Sequence, residues 1–530
     1  MKKDQTIDVL IVGAGPAGTT LAIDLVRRGL SVRIIDQSPH SFRGSRAKGI
    51  QPRTLEIMED LEVIEDILKQ GSLYPLLGAH LGPFTLPWQM FRNKPSTSDI
   101  PYPNTWLIPQ FSTDLALHKR LEDLGVKVEF GHKLIDFSQN SEFAQATIVG
   151  LENQETVLSK FIIGADGGAS TVRLKLDIPF DGTTDEKDRI LIVDAVTTGL
   201  SRNRWHIWPG RGGKFVGACP LPNSDLFQWM IRLAQGEEPP ADITLINERI
   251  HKHTGDKGII LNDIQWKSVF RPNIRLAQSY RKDRALIIGD AAHVHTPAGA
   301  QGLNTGIQDA YNLGWKIQQV LAGASDVLLN SYEAERQPIA AAVLGLSTKK
   351  YEGIAKLNPN SIRRGKDEQQ LALTYCGGPL SSIDDGRKKA LKDGDRAPDA
   401  ELKDIYGSRI RLFEIFRGPH FTLISYGKKS VHSLPDINWP NIGAALKIII
   451  IDANEKEIDY PSFHDLHKSF HKAYQPIDGQ LILVRPDGYI GHISNSENVY
   501  SMTKAIRMFT PPDNHSVHQT KEYSKKGEFK

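Results

Sequence analysis

Three glycines near the N-terminus have the spacing of a phosphate-binding turn. Gly13, Gly15 and Gly18 follow a short β-branched apolar run and precede apolar residues at helical spacing. Gly13 permits a tight turn, Gly15 lets the backbone approach a pyrophosphate, and Gly18 lets helix and strand pack closely. Asp36 ends the next predicted strand, where its carboxylate can accept from ribose hydroxyls. The context predicts a dinucleotide-binding βαβ unit; a glycine-rich turn without a ligand is the alternative.

Two later motifs bear on the kind of dinucleotide, which the glycines alone leave open between FAD and NAD. Asp166 begins the segment Asp-Gly-Gly-Ala-Ser-Thr-Val-Arg, which ends at Arg173. Asp290 lies in Gly-Asp-Ala-Ala-His, directly after a second buried apolar run. Both segments match flavin signatures. We interpret Arg173 as a tie between the first segment and a helix or a nicotinamide phosphate rather than as a catalytic group.

With Pro297, Gly302, Leu303 and Asn304 following in order, residues 5–345 resemble the class A flavoprotein aromatic hydroxylases. The resemblance implies a monooxygenase that binds FAD, consumes NADPH or NADH together with O2, and hydroxylates a phenolic or polycyclic aromatic substrate through a C4a-hydroperoxide of the flavin. In such enzymes the difficult chemistry belongs to the cofactor. We therefore expect no catalytic side chain.

The resemblance also assigns residues to the cofactor. Asp290 would meet the ribityl chain, Arg46 the flavin side of the site, and Gln110 the region of the ribityl and pyrophosphate groups. Backbone N–H groups at the start of a helix would face the pyrimidine edge, where a helix N-terminus stabilises the charge of reduced flavin. The predicted cofactor set is Gly13, Gly15, Ala17, Gly18, Asp36, Arg46, Gln110, Leu134, Asp166, Asp290, Pro297, Gly302, Leu303 and Asn304.

The small aromatic substrate is expected between the flavin and a middle sheet. Trp205 and Ile207 alternate along one predicted strand and so share a face, although the sequence leaves open which face. Phe215 and Pro297 complete the predicted substrate set.

Composition excludes several other classes of protein. The chain has 530 residues, of which 40% are hydrophobic and 24% charged, and its net charge is +3. The near-neutral charge argues against a nucleic-acid partner, and no apolar run has the length of a membrane span. Two cysteines cannot build a disulfide framework, so a cytoplasmic location is expected. His293 and His295 lack a cysteine or carboxylate at ligand spacing beside them, and no metal site is predicted.

These patterns predict an α/β fold with a Rossmann-like FAD-binding domain, an inserted mixed-sheet substrate domain and a C-terminal thioredoxin-like domain. The C-terminal resemblance is to the phenol hydroxylase branch and rests on strand order and on the Arg-Pro-Asp-Gly segment that begins at Arg485. That unit has no cysteine, which excludes thiol chemistry and leaves packing or support of a homodimer as its expected role. The predicted boundaries are 1–75, 103–178 and 276–350 for the FAD-binding domain, 76–102 for an excursion to the substrate domain, 179–275 for the substrate domain itself, 351–392 for a helical or linker bridge, 393–512 for the thioredoxin-like domain and 513–530 for a disordered tail.

Local patterns predict individual elements within these domains. We expect one helical face over residues 53–70, a helix over 114–124, a buried strand over 284–290, a long helix from about Leu303 and a final helix over 497–509.

Three functions remain open from the sequence. The first is the aromatic monooxygenase; the second is a flavin reductase or dehydrogenase that inserts no oxygen; the third is a flavin-bearing protein that binds a ligand. Intact Gly13, Asp36, Asp166 and Asp290 argue against a decayed site. NADPH is favoured over NADH, and the identity of the substrate is not determined.

Overall fold

The computed structural model describes residues 6–210, 214–296, 301–355, 366–381, 391–453 and 459–512. The strands before residue 300 are β1 (Ile7–Val12), β2 (Val32–Asp36), β3 (Gly49–Ile50), β4 (Ser72–Leu73), β5 (Leu76–Leu81), β6 (Phe84–Trp88), β7 (Trp106–Leu107), β8 (Glu129–Phe130), β9 (Lys133–Gln139), β10 (Ala144–Val149), β11 (Gln154–Gly164), β12 (Phe180–Thr184), β13 (Arg189–Thr198), β14 (Arg204–Pro209), β15 (Phe215–Pro220), β16 (Leu226–Leu233), β17 (Ile260–Phe270), β18 (Asn273–Ala277), β19 (Arg281–Lys282), β20 (Ala285–Ile287) and β21 (His293–Val294). Those after it are β22 (Glu401–Asp404), β23 (Arg409–Arg411), β24 (Phe421–Tyr426), β25 (Leu446–Ile451), β26 (Ser462–Asp465), β27 (Gln480–Val484) and β28 (Ile490–Asn495).

The α-helices are α1 (Pro16–Val26), α2 (Pro52–Asp60), α3 (Ile64–Gln70), α4 (Gln110–Asp123), α5 (Thr171–Lys175), α6 (Ile243–Thr254), α7 (Gly302–Leu321), α8 (Val327–Ala355), α9 (Lys366–Gln369), α10 (Leu412–Phe416), α11 (Lys428–Val431), α12 (Ser469–Tyr474) and α13 (Val499–Phe509). Single 3-10 turns occur at Gly289–Ala291, Leu434–Asp436, Leu466–Lys468 and Ser496–Asn498.

A largely parallel sheet forms the centre of the first domain. Its strand order is β19-β20-β11-β1-β2-β8, and the five strands from β20 to β8 run parallel. The apolar residues of β1 and β20 are fully buried, as expected when helices cover both faces of a parallel sheet. Helix α1 packs against α4 and α7. The Rossmann-like α/β prediction is confirmed.

The middle sheet has the order β17-β13-β16-β15-β14-β5-β6. Its pairs are antiparallel except for β14 and β5, so the predicted mixed sheet is confirmed. Because β5 and β6 join this sheet, residues 76–88 contribute to it from the first third of the chain. One face is an apolar core that includes Trp208 and Trp229 and is covered by α6. The opposite face is turned toward the segment 42–48.

The C-terminal unit contains a sheet of order β23-β22-β26-β25-β24-β27-β28. Strands β24, β25 and β26 are parallel, whereas β27 and β28 are antiparallel to their neighbours. Apolar clusters cover both faces, and Trp315 of α7 belongs to one of them. The unit therefore packs directly against α7. Its likeness to thioredoxin stays a prediction.

Two local predictions are wrong in detail. Residues 53–70 form two helices rather than one, because Glu62 adopts a left-handed φ of 60° that ends the helical path. The helical register shifts across this break, and Ile67 rather than Leu68 is fully buried. The strand expected over 284–290 is limited to Ala285–Ile287, and Gly289, with φ of 59°, begins a 3-10 turn.

Among the described residues, no helix is both long and apolar enough to cross a membrane. The predicted disordered tail, 513–530, lies outside the described residues.

Candidate active site

The glycine turn between β1 and α1 has the geometry of a phosphate cradle. Gly13 has φ of 105°, and a Cβ there would lie 2.3 Å from the carbonyl oxygen of Ala165. A Cβ on Gly18 would lie 2.0 Å from the carbonyl oxygen of Gly13. At Gly15, by contrast, a Cβ would meet nothing within 4 Å. Two glycines are therefore required by packing, and the middle one faces open space at the helix start.

The N-terminus of α1 can receive an anion. Gly15 is the N-cap and provides no side-chain hydrogen bond, and the first turn of the helix has no acidic residue. Free backbone N–H groups at a helix start bind phosphate.

Asp36 closes this turn from the end of β2. Its Oδ2 accepts from the backbone N–H of Ala14 at 2.8 Å, and its Oδ1 accepts from that of Ser38 at 2.8 Å. Each carboxylate oxygen has a further lone pair for a ribose hydroxyl. Asp36 thus fixes the turn, and its contact with a ribose stays a prediction.

Helix α4 approaches the same turn. His118 lies 3.0 Å from the carbonyl oxygen of Ala14 through its Nε2. Gln110 begins the helix and donates to Asp114 at 3.5 Å. Burial, opposed by the Gln110 hydrogen bond and reinforced by the Asp36 charge, raises the pKa of Asp114 to about 8. The buried Oδ1 of Asp114 has no hydrogen-bond partner in the described chain. A hydroxyl-bearing ligand would satisfy this acceptor.

Asp166 shapes the loop after β11. Its Oδ2 accepts from the backbone N–H groups of Thr171 and Val172, which start α5, while its buried Oδ1 has no partner among the described residues. Arg173 donates to the carbonyl oxygens of Gly168 and Ala291 at 2.8 and 2.9 Å. This arginine joins the two flavin-signature segments, whereas the predicted partners of the first segment were a helix or a nicotinamide phosphate.

Asp290 and Arg46 face each other across the site. Their charged groups lie 4.0 Å apart, and the side chains are 40% and 59% exposed. Nothing in the described chain therefore fills the space beside them. The backbone under Asp290 is closely packed, because a Cβ on Gly289 would lie 3.1 Å from the Cβ of Ala17. Ala17 is thus a contact between α1 and the second signature.

Asn304 holds the start of α7 in place. Its Nδ2 donates to the carbonyl oxygen of Gly49 at 2.8 Å, and its Oδ1 accepts from the N–H of Gln51 at 2.8 Å. Gly302 and Leu303 precede it in the first turn, which has no side-chain cap and no acidic residue. Because the side chain of Asn304 is hydrogen-bonded to Gly49 and Gln51, it is the backbone N–H groups at the N-terminus of α7 that are available to contact the predicted flavin edge.

Leu134 lies in β9 and is buried in the core of the first domain, two residues after His132, whose N–H donates to the carbonyl oxygen of Asp36. Pro297 lies outside the described residues.

The predicted substrate residues share one face of the middle sheet. The core on the other face takes Trp208, Val216 and other alternate positions. Period-two alternation then places Trp205, Ile207 and Phe215 on the face toward residues 42–48, where all three are half-buried.

Sequence reasoning missed the polar groups on that face. Asp194 accepts from the N–H of Ser45 at 2.6 Å and from its hydroxyl at 2.5 Å. Gln228 donates to the Ser45 hydroxyl at 2.6 Å and accepts from Lys48. The sequence feature that could have indicated these groups is Asp194, a charged residue within the apolar run that forms β13. This network anchors the segment that carries Arg46 to the substrate-facing sheet.

The residues present fit FAD. The open space at Gly15 and the uncapped start of α1 suit a pyrophosphate, and the unpartnered oxygens of Asp114 and Asp166 suit hydroxyl donors. The pair of Asp290 and Arg46 is exposed and open to a ligand.

Comparison with known proteins identifies the family. The family described as "FAD binding domain" matches residues 6–347. A flavin-dependent monooxygenase of Mycobacteroides abscessus is 36% identical over 499 residues, which cover 92% of this chain and 97% of the relative. The chain belongs to the FAD-dependent aromatic monooxygenases.

Other members of the family support this assignment. The pentachlorophenol 4-monooxygenase of Sphingobium chlorophenolicum is 29% identical, covering 91% of this chain and 93% of that enzyme. The solved structure of an anhydrotetracycline hydroxylase from Streptomyces rimosus superposes with a TM-score of 0.72 at 27% identity, covering 96% of this chain and 100% of that one.

Proposed function

We propose that this FAD-dependent monooxygenase hydroxylates a phenolic or polycyclic aromatic compound, taking electrons from NADPH or NADH and oxygen from O2. The observation that carries the proposal is the segment 45–48. Ser45 is hydrogen-bonded to the middle sheet, and the next residue, Arg46, faces Asp290 in the cofactor region. A substrate on that face of the sheet would therefore lie beside the flavin.

When bound, FAD supplies electron transfer from the nicotinamide and activation of O2. The side chains of this chain bind and orient the cofactor and the substrate, and they exclude water from the site. Asp36 and the N-terminus of α1 hold the nucleotide end, while Asp290 and Arg46 orient the ribityl region. The N-terminus of α7, fixed by Asn304, stabilises negative charge at the pyrimidine edge. These roles require no nucleophilic side chain.

The body of the substrate would rest on Trp205, Ile207 and Phe215. The relatives named above act on pentachlorophenol and anhydrotetracycline, respectively. Both names denote aromatic compounds with acidic hydroxyl groups. A flavin reductase, a dehydrogenase and a flavin-bearing binding protein are disfavoured, because relatives that cover 92% and 91% of the chain are named monooxygenases.

The test begins with purified protein. The absorption spectrum should show bound flavin, and oxidation of NADPH and NADH should be followed with and without phenols, naphthoquinones, tetracyclines and ansamycins. We expect at least one aromatic compound to stimulate consumption of the nicotinamide. Protein without flavin, or no stimulation by any class, would contradict the proposal.

Four finer assignments stay predictions. They are the preference for NADPH, a homodimer, a cytoplasmic location and a thioredoxin-like C-terminal fold without thiol chemistry. Parallel assays with NADPH and NADH test the first, and light scattering of the purified holoenzyme tests the second.

A further inference from the structure

Lys48 is a buried lysine on the substrate-facing side of the middle sheet. Its Nζ donates to the side-chain oxygen of Gln228 and lies 4.5 Å from the centre of the Trp205 ring. The side chain as a whole is only 9% exposed. An ammonium group has three N–H donors, and Gln228 accounts for one of them.

The negative groups near Lys48 are engaged elsewhere or neutral. Within the described residues, no carboxylate lies within ion-pair distance of Nζ; the acidic groups that act on its pKa are the thiol of Cys219 and the carboxyl group of Asp194. Both oxygens of Asp194 accept from Ser45, and burial raises the pKa of the Cys219 thiol. Burial also lowers the pKa of Lys48 itself, against the smaller opposing effects of Cys219 and Asp194.

Trp205, whose ring lies beside the Lys48 ammonium, carries a donor that lacks an acceptor within the described part of the chain. The indole Nε1 of Trp205 is buried and has no hydrogen-bond partner in the described chain. Buried donors are nearly always satisfied in native proteins, by protein, water or ligand. The N–H donors of the Lys48 ammonium that Gln228 does not bind, and the indole N–H of Trp205, therefore have no acceptor among the described residues.

The register of the sheet puts this polar region beside an apolar floor. Asp194, Gln228 and Cys219 are paired across β13, β16 and β15 and form one row. The next row is Ile192, Met230, Gly217 and Ile207. A Cβ on Gly217 would lie 3.3 Å from the Met230 side chain, so the glycine keeps this floor low. An aromatic ring placed over the second row would direct an oxygen on the ring toward the first.

We propose that Lys48 binds an ionised phenol or enol oxygen of the substrate, with the Trp205 indole N–H beside it. This inference rests on the proposed function and names the residue that selects the anionic form of the substrate. An anionic oxygen makes charge-assisted hydrogen bonds to buried donors. Binding it as the anion also keeps the ring electron-rich, which oxygen transfer to carbon requires.

The experiment measures binding to the FAD-loaded protein by equilibrium dialysis at neutral pH. The probes are two acidic compounds, pentachlorophenol and 2-hydroxy-1,4-naphthoquinone, and the methyl ether of each, which cannot ionise. Lys48→Met removes the charge and Lys48→Arg retains it. Gln228→Glu leaves Lys48 in place but gives it a carboxylate partner. Lys447→Met removes a half-buried lysine of the C-terminal unit and serves as the control.

We expect the wild-type protein and Lys447→Met to bind each anion more tightly than its ether. Lys48→Met and Gln228→Glu should each lose about tenfold in affinity for the anions, the loss expected for one charge-assisted hydrogen bond, with little change for the ethers. Lys48→Arg should keep the preference in part. If Lys48→Met fails to bind FAD, Gln228→Glu decides the question.

Equal binding of anions and ethers by the wild-type protein, no binding of either anion, or an unchanged preference in both charge variants would overturn the inference. Flavin content and nicotinamide oxidation of the wild-type protein are recorded in parallel. A protein that prefers the anions through Lys48 without turning them over would sustain the inference while contradicting the proposed function.

Discussion

Arg485 donates to both carboxylate oxygens of Glu335, at 2.6 Å through Nη1 and 3.1 Å through Nη2. The pair joins the turn after β27 to helix α8, and both side chains are 1% exposed. In the same turn, Oδ2 of Asp487 accepts from the indole N–H of Trp315 in α7 at 3.0 Å. The segment that carried the C-terminal resemblance is therefore buried against the helices of the FAD-binding domain. Through α7, it supports the predicted flavin edge.

Loss of this arginine should destabilise the whole protein. Arg485→Met leaves Glu335 and Asp487 buried without their main partner, and breaking a buried ion pair on one side costs about 3–5 kcal/mol. Denaturant unfolding of the holoenzyme measures this loss. Arg409→Met, at an exposed arginine in the same unit, should change the free energy of unfolding by less than about 0.5 kcal/mol. Equal effects of the two substitutions would show that the buried pair contributes nothing specific.

Glu335 should give stability a characteristic dependence on pH. Burial alone would raise its pKa, but the charges of Arg485 and Lys316 outweigh burial and lower the pKa from 4.5 to about 2. The ionised group therefore stabilises the folded state above pH 4.5, and this contribution is lost as the pH falls toward 2. Over that range, Glu335→Gln should show a shallower fall in the free energy of unfolding than the wild-type protein. Parallel pH profiles would contradict this assignment.

Substitutions in the glycine turn should separate effects on FAD binding from effects on folding. Gly15→Ala places a methyl group in open space, at an ordinary φ of −72°. The apoprotein should keep its melting temperature while its affinity for FAD falls, because the methyl occupies the predicted pyrophosphate position. Gly18→Ala clashes with the backbone of Gly13 at 2.0 Å and should lower both. Thermal unfolding of the apoprotein and flavin titration measure the two effects; undiminished FAD affinity in Gly15→Ala would place the pyrophosphate elsewhere.

Asp290, in the second signature, and Asp309, in α7, offer a similar contrast between loss of FAD and loss of stability. Asp290→Ala removes a side chain that is 40% exposed and should cost less than about 1 kcal/mol of stability, yet purify with little FAD. Asp309 is buried and accepts from His293, Arg336 and the N–H of Gly289. Asp309→Ala should therefore lose flavin and stability together. Flavin content at the wild-type level in Asp290→Ala would refute its assignment to the ribityl chain.

The elements that could be predicted from the sequence are those specified over short stretches. The turn from Gly13 to Gly18 and the carboxylate of Asp36 lie within one βαβ unit, so spacing alone describes their geometry. The break at Glu62 could not be found in this way, because Leu61 and Ile64 keep an apolar spacing compatible with a continuous helix. Its cause is a single left-handed residue with no glycine to indicate it.

The polar groups on the substrate-facing side of the middle sheet could not be predicted from the sequence, for a different reason. Ser45 and Asp194 are 149 residues apart in sequence, and Lys48 and Gln228 are 180 residues apart. Only the pairing of β13, β15 and β16 brings these groups under the segment 42–48. Alternation did show that Trp205 and Ile207 share a face, but the direction of that face depends on which side α6 covers.

Oxygen labelling shows whether this protein inserts an atom of O2 into an aromatic compound. The purified holoenzyme would turn over the most strongly stimulating aromatic compound with NADPH under isotopically heavy O2, and the product would be analysed by mass spectrometry. We predict a hydroxylated product that contains one heavy oxygen atom. A product that carries only oxygen from water, or an oxidised product without added oxygen, would contradict the account.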